Sequence, residues 1–550
     1  MIILGVSHMI SANPAACLLI DGQLIAMVEE ERLNRIKYSH HFAPTLATEY
    51  CLQCAGLTMQ DVDVVAVGFG PPTSVAFGIL RSEGIRDGWP LAKIWHYRTA
   101  YYAQFTPGRQ EGKKIVYVNH HLAHAASAFY PSGFSHANIL SIDGTGGSEA
   151  GFLGYGNERG ITVLNRISNF NSWGKLYEDV TVLLGFSRLG GEGKTMGLAP
   201  YGHTAPEGFP FINWSSEVPQ IDNAAKEQNF AAITPRQPTE PLKQEHKDLA
   251  ATLQHTLERA ALCMVAALHR RTGLRQLCLA GGVALNCSMN GVLLRSPYVD
   301  DIFIQPVAHD GGTALGAALY VYTKQSRKKL PFTMTHAYWG PEYDNDAILA
   351  ALNKAGIKSY RPSADICQDT AQILKAGKIV GWFQGRAEVG PRALGARSIL
   401  ADPSDPTMKD RINLRVKRRE PWRPFAPSIL HEYVGQYIEH TAASPFMILA
   451  FQSTPEAREH LISAIHIDNS CRPQTVQRDV APRYWNLIEA FRQQTGIPAL
   501  LNTSFNIDSQ PIVCSPEDAI DTFLQSGIDY LAIGDYLVWK NTSDPAVTTP

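Results

Sequence analysis

The chain has almost no surplus of charge. Among 550 residues, 49 Lys and Arg face 51 Asp and Glu, a net of −2. That balance argues against a protein that coats nucleic acid or a membrane surface. It has no apolar run long enough to cross a bilayer. Its opening stretch, residues 1–22, lacks a basic leader, a greasy segment and a cleavage site, so no secretory signal is expected. Cysteine is scarce and odd in number, nine in all, and scattered, which argues against a disulfide scaffold and points to reduced thiols in a cytoplasm. Cys51 and Cys54 form a lone C-x-x-C whose best reading is packing. No Walker-type phosphate loop is present: Gly191-Glu-Gly-Lys194-Thr-Met-Gly197 is too short. No G-x-S-x-G elbow surrounds Ser504, which argues against a serine nucleophile.

What is there is the composition of a packed enzyme, 45% hydrophobic and 18% charged, with length for two or three folding units. The opening reads as three strands: 1–6, 15–20 and, after an Asp21-Gly22 turn, 24–28. A charged stretch from Glu29 should be helical. The cadence returns at 138–142, 150–155 and 161–166, again with a polar loop after the first strand, so a duplicated α/β domain is expected. Residues 120–130 should form a helix that stops at Pro131, and 245–271 a long amphipathic one. A buried strand at 277–280 runs into Gly281-Gly282. Residues 204–241 look like a surface insertion. The first domain is placed at 1–340, a second α/β domain at 344–540, and a flexible tail at 541–550.

Two constellations carry chemistry. His120 and His124 share one helix face, four residues apart, so two imidazoles can converge on an ion; His121 points elsewhere. Asp143 follows an apolar strand, and Asp310 sits between a strand and a helix. Histidine with carboxylate suits a first-row divalent ion such as iron, manganese or zinc. From spacing alone, two exposed histidines and two loop-capping aspartates are equally good. Three glycine loops, at Asp143-Gly144, Gly281-Gly282 and Asp310-Gly311, suit backbone approach to phosphate.

The second constellation is cationic. Gly385 to Ser398 carries Arg386, Arg392 and Arg397, and Asn413 to Ser428 carries Lys417, Arg419 and Arg423. Prolines 391, 421, 424 and 427 break any regular helix there. Guanidinium groups on Gly/Pro-set loops suit bidentate recognition of phosphate or carboxylate. Trp422 and Phe425 could cover such a pocket or stack on a base. A strand over 500–503 leads to Ser504 and Asn506, which could bind phosphate or ribose, and Arg472 lies in another proline-bound loop. RNA is a poor partner for so short a basic stretch in a neutral chain.

These residues resemble a family. His120-x-x-x-His124, Asp143-Gly-Thr-Gly, Gly281-Gly-Val-Ala-Leu-Asn286 and Asp310-Gly-Gly-Thr are similar to the TsaD-like branch of the actin-like (ASKHA) superfamily. With Glu29-Glu-Glu-Arg32…Lys37 and Gly191–Gly202, the chain resembles the NodU/TobZ O-carbamoyltransferases over nearly its whole length. The resemblance implies an actin-like duplicated domain followed by a YrdC-like domain. It implies that Arg392, Lys417, Arg419, Arg423, Arg472 and Ser504 handle carbamoyl phosphate and ATP. It also implies that His120, His124, Asp143 and Asp310 hold a divalent metal, iron(II) by preference. Lys37, Asp143, Gly144, Gly174, Gly282 and Asn286 would hold the nucleotide. The expected reaction makes carbamoyl-adenylate in the second domain. The carbamoyl group then passes, within the protein, to a hydroxyl of a small natural-product acceptor, as in antibiotic biosynthesis. A homodimer is expected; nucleic acid and membrane partners are not. The family places a histidine in its first loop as general base, where this chain has Ala12, so His8 is expected to substitute. Asp508-Ser-Gln-Pro stands where the family has Arg-Gly-Glu-Pro. Alternatives are a threonylcarbamoyl-type tRNA-modifying fusion, an actin-fold small-molecule kinase and a nucleotide-sensing regulator.

Overall fold

A computed structural model describes residues 1–7, 12–40, 42–70, 107–109, 111–326, 332–440 and 442–540. His8 and the 541–550 tail lie outside the described residues. The chain divides into two compact units, Met1–Asn34 with Tyr38–Met334, and Arg35–Lys37 with Thr335–Pro550. No helix among the described residues is long and apolar enough to cross a membrane.

The first unit is a repeat. One sheet holds β1 (Ile2–Val6), β2 (Ala15–Ile20), β3 (Gln23–Glu29), β4 (Val64–Val67) and β5 (Lys114–Tyr117), in the order β3-β2-β1-β4-β5. β1–β2 and β2–β3 are antiparallel, β1–β4 and β4–β5 parallel. The other holds β6 (Ala137–Ile142), β7 (Glu149–Asn157) and β8 (Gly160–Ser168). After a two-stranded ribbon of β9 (Ile212–Asn213) and β10 (Gln220–Ile221), it adds β11 (Gln276–Ala280) and β12 (Asp301–Ile304). Its order, β8-β7-β6-β11-β12, and its strand directions repeat those of the first sheet. The second sheet thus duplicates the first. The first strands read as continuous apolar runs because both faces are covered. The helices His120–Phe129 and Gly312–Ser326 approach so closely that a Cβ on Gly316 would fall 1.8 Å from the Ala123 carbonyl oxygen. The 204–241 stretch is more than surface: Phe209 and Phe211 are buried and stacked at 4.9 Å, with Phe230 edge-on to both.

The second unit is built on one mixed sheet. Its strands are β13 (Tyr360–Pro362), β14 (Val380–Phe383), β15 (Arg397–Ala401) and β16 (Ala426–Leu430), then β19 (Gln474–Val476), β20 (Ala499–Ser504), β21 (Tyr530–Ile533) and β22 (Tyr536–Trp539); the pair β17 (Phe451–Gln452) and β18 (Ser470–Cys471) stands apart. The order is β13-β22-β21-β14-β15-β20-β16-β19. Alternation sends Trp382, Leu400 and Leu500 to one core and Phe383, Ile399 and Leu501 to the other. β20 runs antiparallel to both β15 and β16, and β19 parallel to β16. The starts of β15, β16 and β19 therefore share one sheet edge with the end of β20.

Arg397, at the start of β15, is fully buried. Its guanidinium donates to the carbonyls of Gln384, Gly385, Pro341, Ala396 and Cys514 and lies 3.6 Å above the Phe383 ring. Arg386 likewise donates to the Gly340 and Trp339 carbonyls. Two arginines of the dense motif are thus fasteners of the fold. Arg397→Met should strand buried carbonyl oxygens and cost on the order of 3 kcal/mol or more. Thermal denaturation should show the second unit melting lower by several degrees; an unchanged melting temperature would refute the fastener role.

Candidate active sites

In the first unit, chain direction gathers the site. β4, β5, β6, β11 and β12 end in Gly68, the His120 helix, Asp143, Gly281-Gly282 and the Asp310 loop, all at carboxyl ends of parallel strands, where α/β sheets present ligand groups. The Asn119 side chain caps the helix by accepting from the Leu122 N–H at 3.1 Å. His120 Nε2 and His124 Nε2 then stand 3.1 Å apart, and each lies 3.2 Å from Asp143 Oδ2. Asp310 Oδ1 is 3.5 Å from the first and 3.6 Å from the second. One donor atom from each of the four lies within 4.8 Å of the others. Both histidines are buried.

The proton positions follow. The Gly68 carbonyl can only accept, so His120 donates from Nδ1, at 3.2 Å, and its Nε2 lone pair can turn to the cluster. Asp143 divides its oxygens. Oδ2 meets the imidazoles, while Oδ1 accepts from the Gly144 N–H at 2.8 Å and the Gly282 N–H at 3.0 Å. Burial disfavours charge on His120, yet the Asp310 charge and the bonds to both aspartates lift it to about 10. Burial would raise Asp143, but its hydrogen bonds with His120 and His124 hold it well below the usual carboxylate range. The cluster demands a positive charge, as a proton or as a metal. Two imidazoles and two carboxylates converging on one point fit a first-row divalent ion. His121 is a bystander, as its register implied: it donates to the Glu149 carbonyl at 2.8 Å, and burial and the His120 charge push it down to about 3.

The glycine loops close on this cluster. A Cβ on Gly174 would fall 2.6 Å from the Gly144 nitrogen, so only glycine lets the start of the helix Trp173–Leu183 touch the Asp143–Gly144 backbone. Gly144 faces open space, and a Cβ on Gly282 would meet only Asp143 Oδ1. Asn286 is held within the fold. Its side chain caps the helix Cys287–Leu294 through the Met289 N–H and pairs with Gln254 in both directions. Lys37, expected beside these loops, belongs to the second unit.

There Arg392 lies on the loop that leads into β15, Arg423 and Arg472 come just before β16 and β19, and Ser504 stands at the end of β20. Lys417 ends a wide π-helical turn, Ile412–Lys417, and the chain leaves it through Arg418 in the left-handed region at φ 51°. Lys417 is buried, and its ammonium donates to Ser504 Oγ at 3.1 Å, Asn506 Oδ1 at 2.7 Å, the Asn506 carbonyl at 3.0 Å and the Ser504 carbonyl. Burial, then the charges of Arg419 and Arg423, push its pKa well below the usual lysine value, with Lys37 adding to the same effect. Burial and Arg423 lower Arg419 to about 9, and Arg472 contributes. Asp508, from the divergent stretch, supplies an opposing negative charge to both. Like charges gathered this closely repel one another, at 4 Å by about 4 kcal/mol for an effective dielectric near 20. An anion relieves that repulsion.

Phe425 does not cover a ligand: it is buried, with the Arg419 guanidinium 4.9 Å above its ring. Sequence reasoning missed Asn413. Its Oδ1 accepts from Arg419 Nε at 2.8 Å, and its amide donates to the Pro421 and Arg423 carbonyls, which shapes the cationic loop. No sequence spacing distinguishes it from any buried polar residue.

The family description "Carbamoyltransferase N-terminus" matches residues 89–319, and "Carbamoyltransferase C-terminus" residues 371–540. The chain is 40% identical to nodulation protein NolNO of Sinorhizobium fredii over 548 residues, covering 96% of this chain and 79% of that protein. It is 41% identical to nodulation protein NolO of Bradyrhizobium diazoefficiens over 437 residues, covering 77% and 79% respectively. An uncharacterized protein of Synechocystis sp. is 36% identical over 602 residues, covering 99% and 97%. With both family descriptions in order along the chain and relatives this similar across most of its length, the protein belongs to the carbamoyltransferase family and is an O-carbamoyltransferase.

Proposed function

We propose that the second unit, as a YrdC-like domain, activates the carbamoyl group and the first transfers it. The observation that supports this division most is the sheet edge where Lys417, Arg419, Arg423, Arg472 and Ser504 meet. Two polyanions, ATP and carbamoyl phosphate, must come together to react, and only a surplus of fixed cations makes that affordable. The balanced reaction is carbamoyl phosphate, ATP and one water giving carbamoyl-adenylate, pyrophosphate and phosphate. Water cleaves the bond between phosphorus and the bridging oxygen of carbamoyl phosphate, releasing phosphate and leaving carbamate; a carbamate oxygen then bonds to the α-phosphorus as the bond to pyrophosphate breaks. Guanidinium groups orient the phosphates, and Ser504 and Asn506 hold Lys417 in place until an anion takes over its protons.

In the first unit, the glycine loops at Gly144 and Gly282, where a side chain would meet little or nothing, leave room for the adenylate phosphate beside Asp143. His120, His124, Asp143 and Asp310 would hold a divalent metal, iron(II) in our reading, which supplies Lewis acidity beside the carbamoyl oxygen. The acceptor hydroxyl of a small molecule bonds to the carbamoyl carbon and AMP leaves with the electron pair of the cleaved C–O bond. His8 takes the hydroxyl proton. Excluding water matters, because hydrolysis competes for the activated carbamoyl group. We further propose a cytoplasmic, homodimeric enzyme acting in natural-product biosynthesis.

Half-reactions test the division. Lys417→Ala should cut carbamoyl-phosphate-dependent pyrophosphate release by roughly ten- to a hundredfold or more. His120→Ala should leave that release intact while carbamoylated product disappears. The acceptor comes from a mass-spectrometric screen of candidate alcohols for an added carbamoyl group. If both variants fail at the same step, the division is wrong. His124→Ala should lose most of its bound metal by elemental analysis of the purified protein; full retention would remove His124 from the ligand set. With the screened acceptor, His8→Ala should slow transfer and spare pyrophosphate release, and an unchanged transfer rate would end the case for His8 as base.

A further inference from the structure

Arg392 is carried on the loop from β14 to β15, and the segment just after it is fastened to an unusual degree. Glu388 is 3% exposed. Its Oε1 accepts three backbone N–H groups, from Leu394 at 2.8 Å, Ala396 at 2.7 Å and Arg397 at 3.1 Å. The carbonyls of the same segment are taken up by buried side chains. Asn502 donates to Ala393 at 3.1 Å, Tyr338 and Gln474 to Leu394 at 2.7 Å each, and the Trp382 indole to Gly395 at 2.9 Å. Gly395 has φ +101°, and a Cβ there would fall 2.1 Å from the Tyr484 ring, so the turn has no room to breathe. The far end of the loop is pinned too, by a backbone bridge between Tyr338 and Glu388.

This is more than a helix or sheet needs. A carboxylate buried at a cost, closing a loop on its own chain six to nine residues on, fixes that loop's shape, and its charge also favours the buried Arg397 guanidinium. What the loop carries at its apex is Pro391-Arg392. We propose that Glu388 is a positioning residue: it presets the Arg392 guanidinium for carbamoyl phosphate by locking the Ala393–Arg397 backbone around one carboxylate oxygen. Preset donors bind an anion without first giving up conformational freedom, which is where fixed guanidinium groups gain over mobile ones. The inference rests on the adenylate-forming reading of the second unit.

The test measures carbamoyl-phosphate-dependent pyrophosphate release from ATP by the full chain, for the wild type, E388A, R392A and the double variant. E388A should raise KM for carbamoyl phosphate on the order of tenfold or more, with a smaller change in KM for ATP. In the R392A background, E388A should cost nothing further, because the residue it positions is gone. If R392A alone leaves pyrophosphate release unchanged, the adenylation reading fails. If R392A impairs release but E388A adds its whole loss on top, or lowers kcat with both KM values intact, the positioning role is overturned. Should E388A fail to fold, E388Q decides. Glutamine keeps one accepting oxygen, so its smaller rise in KM should also vanish in the R392A background, and full additivity would sink the proposal.

Discussion

Both units are organised by ionisable groups gathered closely enough to set one another's charge. In the first, Asp143 and Asp310 face the buried His120 and His124, and the four groups together favour a positive charge among them. In the second, Lys417, Arg419, Arg423 and Arg472 repel one another, with Asp508 opposing them in part. The net charge of −2 hides this, because the two surpluses are of opposite sign and lie far apart in the chain. A fold can hold such groups only where rigid backbone prevents them from relaxing away. Here the rigidity comes from strand ends: five parallel strand termini in one unit and four shared strand termini in the other.

Much of this was legible in the sequence. Apolar runs marked β1, β2 and β6, and the recurring cadence announced the duplication that the two sheets now display strand for strand. The spacing of His120 and His124 predicted convergence because helical periodicity alone brings i and i+4 together. Pro391, Pro421, Pro424 and Pro427 announced a fixed cationic loop rather than a solvated helix, and the loop is fixed.

The rest was not legible, because it depends on pairings that no local pattern encodes. The bond from the Gly282 N–H to Asp143 joins residues 139 apart. Arg386 and Arg397 looked the same as Arg392 and Arg423 in the sequence, yet burial turns the first two inward onto carbonyls. Phe425 looked like a lid and is core. Asn286 caps a helix, which no local pattern announced. In each case the residue type was informative and the direction of the side chain was not, since direction follows from tertiary packing.

The membership of Arg35–Lys37 in the second unit has a practical meaning. Arg35 donates to the Ile512 carbonyl at 2.6 Å and the Pro511 carbonyl at 3.1 Å, and its Nε lies 3.2 Å from Asp518 Oδ1. A fragment begun at Thr335 would therefore be missing a piece that belongs to it. Genetic dissection at the linker, or swapping this half with that of a cousin, breaks a contact supplied three hundred residues upstream, roughly the length of the whole preceding unit. A swap that carries residues 35–37 along with the second half would keep that contact.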